Sequence, residues 1–181
     1  MNWETYTETS LLSCNDITLI PRKVSTLKHR SEADTSVEFC GVKLDVPLIS
    51  SPMPTVTNGK MAAELGKLGG MGIIHRFQTI EQQVKEFKDN RYWEPDDPRF
   101  QSRELLMGCA VGVTGAYQER FLKLYDVGCG IFCLDTANGF NVQVAEAISW
   151  IKHEPKNSAY VIAGNVASAE GFQFLADLGV D

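Results

Sequence analysis

The chain alternates short apolar runs with amphipathic helical patterns, and this alternation is the feature that most restricts its fold. Each apolar run has the length of a strand buried on both faces. The runs cover residues 46–50, 69–75, 104–112, 131–134 and 159–165, and helical patterns follow near 59–68, 80–88, 117–125, 142–152 and 169–178. Alternating strands and helices of this kind predict an α/β fold in which helices cover a parallel sheet.

Two parallel architectures are compatible with this order. A doubly wound sheet would be complete with five strands, whereas a (β/α)8 TIM barrel needs about 250 residues. Polar residues or glycine follow every apolar run, and barrels build their sites from such strand ends. No GxGxxG motif follows the first run, which counts against a Rossmann fold. We therefore predict an N-terminal arm, residues 1–45, and about the first five units of a (β/α)8 barrel, residues 46–181.

Composition excludes several functional classes. The chain has 181 residues, of which 44% are hydrophobic and 22% are charged, as in ordinary globular proteins. The net charge of −6 argues against nucleic-acid binding, because phosphate backbones attract basic surfaces. No apolar stretch is long enough to span a membrane, and the N-terminus lacks the apolar region of a signal peptide. Five cysteines without a CxxC pair predict reduced thiols and a cytoplasmic location.

The run at residues 131–139, IFCLDTANG, ends a predicted buried strand with a carboxylate, Asp135. In a barrel this side chain would lie at the carboxyl end of a strand, which is the end that carries the active site. The alternative is structural, because Asp residues also cap helices and anchor loops. The spacing alone leaves both interpretations open.

Four blocks of sequence, in a fixed order along the chain, point to one family. They are NDITLIPRKVSTLKHRSEADTSVEF (15–39), LDVPLISSPMPTVTNGKMAAELGKLGGMGIIHRFQTIEQQV (44–84), CLDTANGF (133–140) and VIAGNVASAEGFQFLADLGVD (161–181). Together they resemble the IMP dehydrogenases and GMP reductases. The resemblance implies a (β/α)8 barrel that binds a purine mononucleotide, GMP or IMP, and a nicotinamide cofactor, NADPH or NAD. It also implies a covalent intermediate on a cysteine.

The family's catalytic cysteine follows the sixth barrel strand, and this sequence ends at Asp181, before that strand. None of the five cysteines lies in the expected context; they are Cys14, Cys40, Cys109, Cys129 and Cys133. We therefore expect the sequence to be part of a longer protein. The catalytic cysteine and a potassium site would lie beyond Asp181, and residues 1–181 alone would be inactive.

The resemblance leaves the reaction open between two relatives. The motifs DTANGF and LKHRSE are similar to those of reductases, whereas SSPMPTVTN and GGMGIIHRF are similar to those of dehydrogenases. Only about 15 residues, 89–103, join the second helix to the third strand, so the paired CBS domains of most dehydrogenases are absent. This favours GMP reductase; the alternatives are IMP dehydrogenase and a non-catalytic nucleotide-binding remnant or split half.

The resemblance also assigns site residues. Ser51, Met53 and Asn165 match positions that contact the purine nucleotide, although Pro54 stands where the family usually has Asp. The cofactor segment is matched by Arg76, Asp135, Thr136 and Ala137. We interpret the neighbouring His75 as a buried imidazole that is hydrogen-bonded in place.

Two arm residues, His29 and Arg30, match positions that reach the cofactor of a neighbouring subunit. The resemblance therefore implies a homo-oligomer, commonly a tetramer in this family.

Overall fold

The computed structural model describes residues 15–21, 24, 26–94, 103–153 and 158–181, and Cys14 lies outside this set. The chain divides into two compact units, Met1–Asp34 and Thr35–Asp181. In the smaller unit, a short 3-10 turn covers Arg30–Glu32, and the Lys28 backbone N–H donates to the Glu32 carboxylate at 3.2 Å.

The larger unit contains nine strands and five helices within the described residues. The strands are β1 (Val37–Phe39), β2 (Val42–Leu44), β3 (Ile49–Ser50), β4 (Met71–Ile74), β5 (Tyr92–Trp93), β6 (Arg103–Glu104), β7 (Met107–Val111), β8 (Ile131–Leu134) and β9 (Tyr160–Ala163). The helices are α1 (Gly59–Lys67), α2 (Ile80–Asn90), α3 (Tyr117–Asp126), α4 (Val142–His153) and α5 (Ala169–Asp177). None of the described helices is long and apolar enough to cross a membrane.

Five strands form one parallel sheet in the order β3-β4-β7-β8-β9. This order follows the chain without reversal. A doubly wound sheet reverses direction at its switch point, whereas a barrel adds each new strand on the same side. The predicted α/β fold with a parallel sheet is confirmed, and the curled sheet corresponds to part of a barrel.

Alternate residues of the sheet face two different layers, as the period of a strand requires. On one face, Ile74, Cys109 and Phe132 pack against the helices in the main hydrophobic core. On the other face, Met71, Ile73, Ala110 and Ile131 form a second core with Cys40 and Leu44. Because both faces are covered, the central strands read as unbroken apolar runs.

An antiparallel hairpin of β1 and β2 supplies the cover on the second face. Its turn, Cys40–Gly41, has positive φ at both residues, the pattern of a tight two-residue turn. The Tyr160 side chain of β9 lies directly against Gly41. Residues 37–44 fall within the predicted arm, and the alternation of apolar runs with helices gave no sign of this hairpin.

Three helices begin at side chains that are visible in the sequence. Asn58 and Ser168 accept hydrogen bonds from backbone N–H groups in the first turns of α1 and α5. Thr79 and Gln82 form a reciprocal capping box at the start of α2. These caps satisfy N–H groups that would otherwise lack a partner, and they fix where each strand-end loop ends.

Two strands differ from the predicted runs. β3 occupies only Ile49–Ser50 of residues 46–50, because the chain before it contains Pro47, which has no N–H to donate. The run at 104–112 divides into β7 and a separate β6 that pairs with β5. The connection over residues 89–103 thus includes a short antiparallel ladder, and its residues 95–102 lie outside the described set.

We predict that Gly72→Ala destabilises the sheet. An added Cβ at Gly72 would lie 2.3 Å from Ala62 Cα, so the α1 backbone would have to move away from β4. Overpacking of this kind costs about 1–3 kcal/mol of unfolding free energy. Gly130→Ala is the control, because no atom of the described residues lies within 4 Å of its added Cβ. Denaturant unfolding of both variants that gave equal midpoints would contradict this packing.

Candidate functional site

The carboxyl ends of the parallel strands meet at one edge of the sheet, and most of the predicted site residues follow them directly. Ser51 and Met53 follow β3, Arg76 follows β4, Asp135 follows β8 and Asn165 follows β9. Because all five strands run in the same direction, these loops share one edge.

Arg76 and Asp135 form the central contact of this edge. Arg76 Nε donates to Asp135 Oδ2 at 3.0 Å, across 59 residues of sequence. The two side chains are 33% and 27% exposed, so the ion pair is only partly screened by solvent. The sequence assigned both residues to the cofactor segment but did not indicate that they bond to each other.

The surroundings hold this pair in place. The Asp135 backbone N–H donates to Val111 O at 2.9 Å, which extends the ladder between β7 and β8 past its end. The Arg76 guanidinium lies over the Phe77 ring, 4.7 Å from its centroid. A Cβ added to Gly112 would lie 3.6 Å from an Arg76 terminal nitrogen, so the guanidinium also lies beside the loop that follows β7.

Thr57 ties the loop after β3 to the end of β4. This fully buried hydroxyl donates to Ser51 O at 2.6 Å, and Thr57 O accepts from the His75 N–H at 3.3 Å. Met53 O accepts from the Thr57 N–H at 3.0 Å, while the Met53 side chain stays 51% exposed. Sequence reasoning missed Thr57, because a single Thr in a polar loop carries no distinguishing pattern.

The His75 imidazole is buried, but its Nδ1 has no hydrogen-bond partner within the described part of the chain. Burial was part of the interpretation given to this residue, and the expected hydrogen bond of the ring at Nδ1 is absent among the described residues. The backbone of His75 is hydrogen-bonded at both groups: its N–H donates to Thr57 O, and its carbonyl accepts from the Gln78 side-chain amide.

The loops after β8 and β9 contact each other. The Gly139 N–H donates to Asn165 O at 3.2 Å, and a Cβ at Gly139 would lie 2.1 Å from Gly164 O. Asn165 itself has a positive φ of 58°, which its short polar side chain tolerates. Earlier in the loop after β8, the buried Thr136 hydroxyl has no hydrogen-bond partner among the described residues, and Ala137 is exposed.

His29 and Arg30 are exposed residues at the 3-10 turn of the smaller unit. The His29 carbonyl accepts from the Glu32 N–H at 3.2 Å. Their assignment to a neighbouring subunit's cofactor stays a prediction.

Among the described cysteines, Cys133 lies in β8 two residues before Asp135. Burial, and then the negative charge of Asp135, raise the pKa of Cys133 from 9.0 to about 11. Burial also raises the pKa of Cys40 and, further, that of Cys109. Such thiols stay protonated near neutral pH, so they are poor nucleophiles.

We predict that Cys133 resists alkylation at pH 8, where about one thiol in a thousand is ionised at a pKa of about 11. Because the folded state disfavours the thiolate, the stability that Cys133 contributes is complete below pH 9 and is lost as pH rises toward 11. Iodoacetamide labelling of the full-length protein, mapped by mass spectrometry against pH, measures this. Half-maximal labelling rates at pH 9 or below would contradict the raised pKa.

The fold and this edge define the class: an α/β protein whose candidate site residues follow the ends of parallel strands that are added in chain order. The sequence profile of the IMP dehydrogenase / GMP reductase domain matches residues 11–181. The chain belongs to this family, and the resemblance found in the sequence is confirmed.

Several curated proteins are similar to this chain. A GMP reductase of Oenococcus oeni is 33% identical over 169 residues, which covers 92% of this chain and 48% of the relative. An IMP dehydrogenase of Borreliella burgdorferi is 28% identical over 210 residues, covering 94% and 52%. One of Cryptosporidium parvum is 30% identical over 203 residues, covering 94% and 50%. The chain spans about half the length of these relatives.

Proposed function

We propose that this chain is part of a purine nucleotide oxidoreductase that uses a nicotinamide dinucleotide, and that its reaction is the NADPH-dependent reductive deamination of GMP to IMP. The observation that carries the proposal is the Arg76–Asp135 pair at the strand-end edge of a chain of this family. A cationic and an anionic group, held together and partly exposed, suit a ligand that carries both phosphates and ribose hydroxyls.

The polar groups left open at this edge fit a dinucleotide. Among the described residues, the ion pair uses only Nε of Arg76 and only Oδ2 of Asp135. The terminal guanidinium N–H groups remain for phosphate oxygens, and the second carboxylate oxygen remains for ribose hydroxyls. The orphaned Thr136 hydroxyl is a third group that a ligand would satisfy, since buried polar atoms rarely lack partners.

The purine nucleotide is assigned to Ser51, Met53 and Asn165. The exposed thioether of Met53 provides an apolar, adaptable surface for a flat base. The Asn165 amide can both donate and accept, which suits the edge of a purine ring. The hydrogen bonds of Thr57 fix the backbone that carries Ser51 and Met53.

Alignment lengths favour the reductase over the dehydrogenase. With the Oenococcus reductase, 92% of 181 residues, or about 167, align over 169 positions. With the Borreliella dehydrogenase, 94% of 181 residues, or about 170, align over 210 positions. About 40 positions of the dehydrogenase alignment therefore have no counterpart here. IMP dehydrogenase stays the second candidate, because two dehydrogenases are about as similar in identity as the reductases.

When bound, the dinucleotide supplies or accepts the hydride. In the proposed direction, GMP, NADPH and two protons give IMP, NADP⁺ and ammonium. The residues of this chain bind and orient the two ligands.

The reaction is tested by assaying the full-length protein with GMP plus NADPH and, separately, with IMP plus NAD. We expect NADPH oxidation and ammonium release in the first assay. Turnover only of IMP, with formation of NADH, would show the dehydrogenase instead. A pure, folded full-length protein that was inactive in both assays would contradict the oxidoreductase proposal.

We predict that Asp135→Ala weakens use of the dinucleotide more than use of the purine nucleotide. Loss of charge-assisted hydrogen bonds costs about 1.5–3 kcal/mol, which is roughly a ten- to hundredfold rise in the dinucleotide KM. Asp135→Asn keeps an oxygen for Arg76 Nε and should lose less. Steady-state kinetics with Asp126→Ala, an exposed acid at the end of α3, as control would measure this. An unchanged dinucleotide KM would leave Asp135 as a loop anchor.

A separate prediction concerns the positive charge of Arg76, which Arg76→Met removes. The variant should have a higher dinucleotide KM than the parent at low salt, and the difference should shrink at high salt, where screening already weakens the parent contact. Lys85→Met, which removes an exposed cation of α2, is the matched control. Parallel salt profiles for the Arg76 variant and the parent would argue that Arg76 is merely solvated.

We also propose a homo-oligomer, specifically a tetramer. Apolar side chains of the smaller unit support an interface, because Leu19 and Ile20 are 95% and 90% exposed. Sedimentation of the full-length protein as a monomer would contradict this proposal.

A further inference from the structure

A polar side-chain network centred on the buried Gln83 lies beside the segment that carries Arg76, and its side chains, those of Gln83, Arg120 and Gln78, were not assigned to the candidate site. Gln83 of α2 is fully buried. Its amide nitrogen donates to Ile74 O at 3.2 Å and to Ala110 O at 2.9 Å, on the neighbouring strands β4 and β7. Its amide oxygen accepts from an Arg120 terminal nitrogen at 2.7 Å. Every hydrogen of this amide therefore has a partner, as burial demands.

Arg120 of α3 connects this amide to the segment that carries Arg76. Its other terminal nitrogen donates to Gln78 O at 2.9 Å. Gln78 in turn folds the segment back on itself, because its side-chain amide donates to His75 O at 3.1 Å and its N–H donates to Arg76 O at 2.8 Å. The carbonyls of His75, Arg76 and Gln78 thus each accept a hydrogen bond, two from Gln78 and one from Arg120.

The charges of Arg120, Arg76 and Asp135 favour the same placement of the Arg76 side chain. Burial and, next, the nearby positive charge of Arg76 lower the pKa of Arg120. The two guanidinium groups repel each other, while Asp135 attracts Arg76 from the opposite loop. The hydrogen bond of Arg120 to Gln78 O holds the segment that carries Arg76, and its positive charge disfavours a turn of the Arg76 side chain toward α3.

We propose that Arg120, acting through Gln83 and Gln78, is a positioning residue that holds Arg76 against Asp135 for recognition of the dinucleotide. The inference rests on the function proposed for Arg76 above. Arg120 itself is placed under the loop and not in contact with the ligand. Small displacements of a positioned group are costly in binding and catalysis, so loss of Arg120 should be felt at Arg76.

The test compares Arg120→Met with Arg76→Met and the double variant in the full-length protein. We expect Arg120→Met to raise the dinucleotide KM about tenfold and to leave the purine nucleotide KM within about twofold. The double variant should match Arg76→Met alone, because residues that act through each other are not additive. Lys123→Met, on the exposed face of the same helix, is the matched control and should behave as the parent.

Hydrogen–deuterium exchange of the peptide spanning residues 75–78 provides a readout that does not depend on activity. Exchange there should increase in Arg120→Met and remain as in the parent in Lys123→Met. If Arg120→Met fails to fold, Gln78→Ala removes one donor from a partly exposed side chain and should show the same KM pattern.

The possible failures are distinguishable. An unchanged dinucleotide KM in Arg76→Met contradicts the function proposed for Arg76, whatever Arg120 does. Additive effects in the double variant, an equal rise of both KM values, or unchanged exchange at 75–78 would overturn the positioning role of Arg120.

Discussion

Burial of both faces of the parallel sheet is the constraint on which the rest of the structure depends. Helices cover one face and the β1–β2 hairpin covers the other, so no polar side chain can stay unsatisfied along the central strands. Polar chemistry is therefore confined to the ends of the strands. Among the described residues, Gln83 of α2 is a polar side chain buried against these strands, and its hydrogen bonds to two strand carbonyls and to Arg120 are what permit it there.

Patterns of neighbouring residues predicted much of this architecture. Apolar runs predicted the strands, and the residues after them predicted the edge that carries Asp135 and Asn165. The Thr79–Gln82 capping box is likewise readable from its spacing. Such features are local, so a single stretch of sequence contains the whole signal.

Contacts between distant residues could not be predicted in this way. Arg76 and Asp135 are 59 residues apart, and no pattern in either stretch shows that they bond. In the sequence, Arg120 does not differ from other cations on amphipathic helices. Its contact with Gln83 of α2 is visible only in the packing of α3 beside α2. The hairpin at 37–44 was missed because its strands have only three residues each, too few for a clear alternation.

The hairpin also imposes an order on folding. Its Gly41 turn lies against Tyr160 of β9, more than one hundred residues later in the chain. During synthesis from the N-terminus, the early strands can pair with their neighbours, but the surface that receives this turn does not yet exist. The hairpin can complete its packing only after Tyr160 has left the ribosome. Until then one apolar face of the growing sheet is partly uncovered, so this long-range contact closes the inner layer of the unit and sets a late step in its folding.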